Sequence, residues 1–258
     1  MARSDGEAVP KKDQSEKIRL DVLIVERGLA RSRERAQAML LAGEVRINGQ
    51  RVEKPGTRVP VNARVEILGT RLPYASRGGL KLEGALEDFL VSPQRRVCLD
   101  LGSSTGGFTD CLLQQGAMKV YAVDVTIAQL DWKLRQDARV VPIERNARYL
   151  QMSDVGEPPT LVTMDLAFVS VDKVLPAIVP VAARGADFLI LIKPQFELEK
   201  REVGKGGIVR DPALHRKAIE RVTGSAAKNG LQVVDVKPSH ISGSEGNQEF
   251  FLHARKPA

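Results

Sequence analysis

Residues 97–108 read VCLDLGSSTGGF, a largely apolar run that passes into a turn rich in glycine and serine. The apolar run predicts a buried strand, and the turn predicts a connection from that strand into a helix. Glycines at such a turn allow positive φ angles and let the backbone approach a ligand closely. These residues therefore predict the first strand of an α/β domain, with a ligand site at its carboxyl end.

The pattern repeats towards the end of the chain, where apolar runs alternate with stretches of helical periodicity. We predict strands at 97–101, 120–125, 140–143, 161–166, 188–192, 231–236 and 250–253, and helices at 80–89, 108–115, 172–183 and 212–229. Such alternation is typical of a parallel sheet covered on both faces. No helix separates the last two runs, which favours an antiparallel final strand. The predicted fold class is α/β, with the Rossmann-like sheet of class I methyltransferases.

The glycine-rich turn indicates which ligand the sheet binds. Its spacing is G-x-x-x-G-G, whereas dinucleotide sites have G-x-G-x-x-G. Asp100 lies two residues before the first glycine, where a carboxylate disfavours a pyrophosphate and suits the cationic groups of S-adenosylmethionine. Asp124 ends the next strand and can accept hydrogen bonds from ribose hydroxyls. We predict a site for this cofactor at Asp100, Gly102, Ser103, Ser104, Gly106, Gly107, Phe108 and Asp124.

A small module precedes the sheet. Apolar residues at helical spacing predict one helix from Leu20 to Gly28 and a second from Ser32 to Gly43. Asn48-Gly49 then lies between two short strand-like runs, which is a strong hairpin signal, and a further strand is expected at 64–68. Two helices followed by short strands predict a small α+β module.

The positive charge of the chain is concentrated in this module. The whole chain has a net charge of +7, and residues 17–67 contain 11 basic and 6 acidic residues. Clustered cations favour polyanions through counterion release, and with aromatic residues at only 4% we expect contacts to phosphate rather than base stacking. The candidate RNA-binding residues are Arg19, Arg31, Arg33, Arg35, Arg46, Arg51 and Arg77. The alternative is a packing or dimerisation module with an ordinary basic surface.

Three polar residues lie at one predicted edge of the sheet. Asp165 and Lys193 follow strands, and Glu249 precedes the final strand, which reaches the same edge if that strand is antiparallel. Ligands of open α/β sheets bind at this edge. Lys81, ahead of the sheet, is a fourth candidate. Taken singly, Lys81 also fits an ordinary helix surface and Glu249 a solvated strand end.

Several motifs together identify a family. The chain resembles the TlyA-type rRNA 2′-O-methyltransferases, also called haemolysin A-like, in which an S4-like RNA-binding domain precedes an FtsJ-like methyltransferase domain. The matches are RLD at 19–21, SRERA at 32–36, SRGGLKL at 76–82, DLGSSTGGFTD at 100–110, KPQFE at 193–197 and GKGGIV at 204–209. The polar, aperiodic start of the chain predicts a flexible tail at 1–16, and the turn-forming residues at 69–79 predict a linker. The resemblance, which covers residues 17–256, then implies an S4-like domain at 17–68 and an S-adenosylmethionine-dependent domain at 80–258.

The resemblance also assigns functional residues. It implies a catalytic tetrad of Lys81, Asp165, Lys193 and Glu249, and it places Asn146 near the adenine of the cofactor. It further implies cytidines of ribosomal RNA as targets, and hence rRNA or ribosomal subunits as partners. The chain departs from the family pattern at Thr126-Ile127-Ala128, where a glycine-containing loop is usual, and at Glu144–Arg148, which is one residue shorter.

The tetrad suits methyl transfer to a ribose hydroxyl without a metal. The sulfonium leaving group is already good, so catalysis needs orientation and removal of the hydroxyl proton. A lysine that removes this proton must be neutral, which partial burial and a second ammonium group favour. We therefore assign Lys193 as the general base and Lys81 as the second ammonium, with Asp165 and Glu249 orienting the lysines and the ribose. Carboxylates that lie too close would raise the lysine pKa that has to fall, so the geometry decides.

Composition excludes some classes of protein and leaves others open. The first 16 residues lack the apolar segment of a secretory signal, and no apolar run is long enough to cross a membrane, so we expect a cytoplasmic protein. Two cysteines and three scattered histidines do not suggest a metal site or a disulfide framework. The alternatives to the enzyme are a non-catalytic ribosome-binding protein, a haemolysin and a nicotinamide dehydrogenase.

Overall fold

The computed structural model describes residues 17–30, 32–41, 43–67, 72–243 and 246–258. The chain divides into two compact units, Met1–Arg71 and Leu72–Ala258. The predicted tail at 1–16, Arg31 and the first part of the predicted linker lie outside the described residues. Within these residues no helix is long and apolar enough to span a membrane.

The first unit packs two helices against short strands around a small core. Its elements are β1 (Lys17–Arg19), α1 (Leu20–Glu26), α2 (Arg33–Leu41), β2 (Val45–Ile47), β3 (Gln50–Arg51), β4 (Arg58–Pro60) and β5 (Val65–Ile67). Leu20 and Ile24 of α1 are fully buried with Leu40 of α2. The hairpin turns at Asn48-Gly49, both with positive φ, which matches the turn that this pair favours.

The two helices and the hairpin of this unit agree with the sequence prediction, but one strand pair was not predicted. β1 and β4 pair antiparallel, with Ile18 opposite Val59. Each of these strands has three residues, which is too short to show a period of two, and β4 ends at Pro60, a residue type that sheets disfavour. β5 begins at Val65, one residue after the start of the predicted strand, and Leu68, the predicted end, lies outside the described residues.

The second unit is a seven-stranded sheet with helices on both faces. Its elements are α3 (Gly78–Asp88), β6 (Val97–Leu101), α4 (Gly107–Gln114), β7 (Lys119–Asp124), α5 (Trp132–Gln136), β8 (Val140–Glu144), β9 (Leu161–Met164), α6 (Leu175–Val181), β10 (Asp187–Ile192), α7 (Pro194–Glu197), α8 (Pro212–Lys228), β11 (Gln232–Pro238) and β12 (Phe250–Arg255). The strand order is β11-β12-β10-β9-β6-β7-β8.

The predicted sheet is confirmed, including its antiparallel last strand. β6, β7, β8, β9 and β10 run parallel, and β12 runs antiparallel to both β10 and β11. Buried side chains of α6 and α8 cover one face, whereas those of α3, α4 and α5 cover the other. Every strand of the sheet that was predicted is present, with ends that shift by one or two residues.

Two segments differ from the prediction. The helix expected at 172–183 begins at Leu175, because residues 171–173 form a separate 3₁₀ turn ahead of it. Residues 72–79, expected in the linker, belong to the second unit, where Tyr74 is buried in the core and α3 begins at Gly78. Ala75 N–H donates to Asp110 of α4, which fixes this segment to the domain.

A buried charge cluster stabilises the edge of the sheet opposite the carboxyl ends of the parallel strands. Asp187, at the start of β10, accepts hydrogen bonds from Arg96 (2.8 Å), His253 (2.8 Å) and Arg255 (2.7 Å). Burial raises the pKa of the Asp187 carboxyl, but the hydrogen bonds from His253, Arg255 and Arg96 outweigh burial and hold the pKa below its ordinary value. This carboxylate therefore ties the ends of β6, β10 and β12 together.

Asp187→Asn should lower the free energy of unfolding by about 3 kcal/mol at pH 7, because it removes the charge that pairs with Arg96 and His253 inside the protein. A carboxyl whose pKa is depressed by folding stabilises the protein above its unfolded pKa and loses that contribution as the pH falls. The difference between wild type and variant should therefore shrink below about pH 4. Urea denaturation at several pH values measures it, and equal stabilities at pH 7 would contradict the assignment.

Candidate active site

The glycine-rich turn after β6 approaches the next strand end too closely for a side chain. Gly102 has φ +80°, and a Cβ at this position would lie 2.3 Å from the carbonyl oxygen of Asp165. Gly102 N–H and Ser103 N–H both donate to the carbonyl of Val123, which binds the turn to the end of β7. The turn therefore forms a compact floor at the carboxyl edge of the sheet.

Two connected cavities lie above this floor. One has a volume of about 370 Å³ and the other about 880 Å³. Both are lined by Gly102, Ser104, Asp165 and Phe168, so they adjoin each other, and together they are called the cleft below. Within the described residues no group of three or more acidic, histidine or cysteine side chains could hold a metal ion.

The larger cavity contains the residues predicted to bind the nucleoside part of the cofactor. The Asp124 carboxylate lines it and accepts hydrogen bonds from the backbone of Ser104 (2.9 Å) and Thr126 (3.1 Å). Asn146 lines the same cavity, and its side-chain oxygen accepts from Arg148 N–H at 3.0 Å. The segment that departs from the family pattern is thus held by a carboxylate at its start, without a glycine.

The structure does not bring Asp100 to the cleft. Its side chain is fully buried and accepts hydrogen bonds from the hydroxyls of Thr109 (2.6 Å) and Thr163 (3.1 Å). Burial raises the pKa of Asp100 to about 7. The carboxylate therefore joins β6 to α4 and β9 from inside the protein, instead of facing a cationic ligand as the sequence suggested.

The other predicted cofactor residues form the turn and the start of α4. Gly107 and Phe108 line the smaller cavity together with Ser103 and Ser104. Gly106 precedes α4 with φ +95°. The Ser103 hydroxyl is buried and has no hydrogen-bond partner among the described residues. A buried hydroxyl without a partner is costly, so this group fits a ligand that supplies one.

The four candidate catalytic residues line the smaller cavity together. Lys81 projects from α3, Asp165 follows β9, Lys193 follows β10 and Glu249 directly precedes β12. Their side chains are between 3% and 22% exposed. The sheet therefore assembles residues that lie up to 168 positions apart in the sequence.

Within the cavity each lysine contacts one carboxylate. Lys81 Nζ lies 2.5 Å from Glu249 Oε2, and Lys193 Nζ contacts Asp165 Oδ1. Buried charges are stable only when they are paired and hydrogen-bonded. The two pairs therefore allow two lysines to occupy one small, partly buried space.

Two features of this cleft were not predicted from the sequence. Phe168, three residues beyond Asp165, has φ +62° and is 90% exposed. The centre of its ring lies 5.2 Å from the centre of the Phe196 ring. Glu197 is buried and accepts hydrogen bonds from the Ser170 hydroxyl (2.5 Å) and Val171 N–H (2.9 Å). Glu197 thus ties the helix that follows Lys193 to the loop that follows Asp165. Neither the exposed ring nor this contact leaves a signal in the sequence pattern.

The arginines predicted to bind RNA fall into different environments. Arg19 and Arg33 both donate to Asp21, a fully buried carboxylate whose pKa is lowered chiefly by the hydrogen bond from Arg19. Arg51 pairs with Glu53 at 3.0 Å. The side chains of Arg35, Arg46 and Arg77 are exposed, and Arg77 lines the smaller cavity of the second unit. Arg31 lies outside the described residues.

Comparisons with known proteins agree with this architecture. The profile of the FtsJ-like methyltransferase family matches residues 74–256, and that of the S4 domain matches residues 18–65. The chain is 46% identical over 241 residues to the 16S/23S rRNA (cytidine-2′-O)-methyltransferase TlyA of Mycobacterium tuberculosis, covering 93% of this chain and 90% of that protein. It is 40% identical to Hemolysin A of Brachyspira hyodysenteriae, covering 92% of this chain and 99% of that protein.

The similarity extends to a solved structure. A candidate hemolysin from Streptococcus thermophilus superposes with a TM-score of 0.75 at 42% identity, covering 93% of this chain and 89% of that chain. The family resemblance and the fold class inferred from the sequence are thereby confirmed. Because an S4 domain precedes an FtsJ-like domain in the sequence, and TlyA is a relative over most of its length, the chain belongs to the TlyA-type family of FtsJ-like methyltransferases, whose cofactor is S-adenosylmethionine.

Proposed function

We propose that this protein transfers a methyl group from S-adenosylmethionine to the ribose 2′-hydroxyl of a nucleotide in ribosomal RNA, with Lys193 as the general base. The observation that carries the proposal is the placement of two lysine–carboxylate pairs in one cavity. Cytidine is the proposed target because the TlyA relative is named for cytidine-2′-O methylation.

The cleft suits the cofactor in size and in chemistry. Ligand sites of this kind have volumes of roughly 300 to 1,000 Å³, and the larger cavity has about 880 Å³. We assign Asp124 and Asn146 to the nucleoside, and the turn of Gly102, Ser103, Ser104, Gly106, Gly107 and Phe108 to the remainder. When bound, the cofactor supplies a methyl group on a positively charged sulfur atom.

The residues of the smaller cavity then orient the hydroxyl group and remove its proton. Lys193, in its neutral form, would accept the proton of the 2′-hydroxyl as the oxygen displaces sulfur from the methyl carbon, so that the cofactor would leave as a neutral thioether. Asp165 contacts the Lys193 ammonium and stabilises it after this transfer. Glu249 holds Lys81 in place, so Lys81 can donate a hydrogen bond to the ribose from a fixed position. The ammonium of Lys193 releases its proton to water before the next cycle.

The first unit is proposed to bind the RNA. Its excess of basic residues, with 11 basic against 6 acidic between residues 17 and 67, supports attraction to phosphate. Asp21 fixes the guanidinium groups of Arg19 and Arg33, which lowers the conformational entropy lost when they contact a ligand. The exposed side chains of Arg35 and Arg46 add positive charge and can change conformation to reach phosphate groups.

A haemolysin is the second candidate, because one relative is named Hemolysin A. Transfer of tritiated methyl groups from S-adenosylmethionine to ribosomal subunits separates the candidates. The proposed enzyme labels the RNA and does not lyse erythrocytes when it is added alone. Lysis without labelling would favour the haemolysin, and RNA binding with neither activity would favour a non-catalytic ribosome-binding protein.

Lys193→Ala should retain cofactor binding and lose methyl transfer. The rate should fall at least about 100-fold, as expected when a general base is removed. Calorimetry measures the cofactor affinity, and tritium incorporation measures the rate. Lys228→Ala, which removes an exposed lysine at the end of α8, is the matched control and should have wild-type activity. Equal turnover in Lys193→Ala and wild type would remove Lys193 from the role of base.

Arg35→Glu should weaken rRNA binding and make its salt dependence less steep. The slope of log K against log salt should decrease by about 1, because one phosphate contact is lost. Arg35 is the better choice over Arg33, since Arg33 also pairs with the buried Asp21. Arg184→Glu reverses an exposed charge in the methyltransferase unit and serves as control. Identical slopes for Arg35→Glu and Arg184→Glu would favour a packing role for the first unit.

A further inference from the structure

The segment that follows β11 packs tightly against α3. The imidazole of His240 lies on the helix backbone at Gly84, where a Cβ would be 2.6 Å from Nδ1 and 2.9 Å from Cγ of the ring. The Nε2 atom of the same ring is 2.9 Å from Asp88 Oδ2. Gly84 and Asp88 are four residues apart and therefore share one face of the helix.

Lys81 belongs to this face of α3 as well. It precedes Gly84 by three residues, which is just under one helical turn. Its ammonium contacts Glu249, and Glu249 directly precedes β12. The helix face is therefore bound at two places to the connection between β11 and β12, once through His240 and once through the Lys81–Glu249 pair.

The segment from 239 to 243 also contacts Glu249. Ser239 N–H donates to the carbonyl of Glu249 at 2.8 Å. A Cβ on Gly243 would lie 2.6 Å from Oε1 of Glu249, so the backbone of Gly243 packs directly on the carboxylate. Contacts on one short segment thus fix both the helix that carries Lys81 and the carboxylate that pairs with it.

A further contact anchors the end of α3. Lys237, in β11, donates to the carbonyl of Asp88 at 2.7 Å and lies 5.4 Å from the centre of the Phe89 ring. This contact holds the last turn of the helix independently of the His240 side chain. Loss of the imidazole therefore leaves α3 attached at its end while removing the contact nearest to Lys81.

We propose that His240 is a positioning residue that sets the geometry of the Lys81–Glu249 pair. The inference rests on the proposed function, because it concerns the orientation of groups in the same cavity. A displacement of about 1 Å at a reacting group can cost roughly 100-fold in rate. Without the imidazole, the face of α3 at Gly84 loses its neighbour. The turn of α3 that carries Lys81 can then shift, which moves Lys81 away from Glu249.

The test compares His240→Ala, His240→Gln and Asp88→Ala with a control. The amide of glutamine can donate to Asp88 in place of Nε2, whereas alanine cannot, and Asp88→Ala removes the same hydrogen bond from the helix side. Glu87→Ala changes the adjacent, exposed residue of α3 and is the matched control. For each variant of the full-length protein, kcat, KM for rRNA, cofactor affinity and the thermal midpoint are measured.

His240→Ala and Asp88→Ala should lower kcat about tenfold, with cofactor affinity and KM within twofold of wild type. His240→Gln should recover most of the lost rate, and Glu87→Ala should leave it unchanged. Wild-type kcat in both His240→Ala and Asp88→Ala would overturn the proposal. So would a decrease in cofactor affinity and thermal midpoint that accounts for the lost rate, because that pattern marks a purely structural role.

Lysine labelling decides the question independently of activity. Acetic anhydride is added in limiting amount, and the acetylation of each lysine is read by mass spectrometry. Lys81 is 11% exposed in its pair with Glu249 and should label at least threefold faster in His240→Ala, while Lys193 labels at the wild-type rate. Unchanged labelling of Lys81 would reject the positioning role. If the wild type transfers no methyl group, the proposed function fails, and the labelling result still decides on His240.

Discussion

Two lysines share a cavity of about 370 Å³, and each is compensated by a carboxylate. A buried ammonium without a partner is costly, so this pairing is the constraint on which the rest of the site depends. Asp165 and Lys193 reach the cavity from the ends of two adjacent parallel strands, β9 and β10. Glu249 can reach the same edge only because β12 runs antiparallel, so that its start lies beside the end of β10. The helix that carries Lys81 then closes the cavity from one face of the sheet.

In the proposed function, the first unit binds RNA and the second unit transfers the methyl group, and each depends on a different physical effect. We propose that phosphate attraction acts at the surface of the first unit, where Asp21 holds the side chains of Arg19 and Arg33. Chemistry acts in the second unit, where the glycine-rich turn and Asp124 provide space and hydrogen-bonding groups beside the paired lysines. Affinity for RNA then depends on charge and salt, whereas the rate depends on positions fixed to about 1 Å.

Much of the architecture could be predicted from the sequence, because its signals are local. Apolar runs locate the strands, Asn48-Gly49 locates the hairpin, and the missing helix before β12 predicts the reversal of that strand. Asp165, Lys193 and Glu249 were placed at the edge of the sheet for the same reason, whereas Lys81 was placed ahead of the sheet, and the family motifs implied the role of all four. Contacts between distant segments could not be predicted. Asp100 was expected to face the cofactor, but it is enclosed by Thr109 and by Thr163, which is 63 residues away. His240 and Asp88 are 152 residues apart, and only the fold brings them together.

In the proposed reaction, a methyl group passes from S-adenosylmethionine to a ribose oxygen of ribosomal RNA beside the paired lysines. The most direct measurement is to incubate ribosomal subunits with the protein and labelled S-adenosylmethionine, digest the RNA to nucleosides, and identify the labelled product by mass spectrometry. The account predicts label on a 2′-O-methylated nucleoside, with cytidine as the base. Label on a nucleobase, or no label on RNA from intact or dissociated subunits, would contradict it.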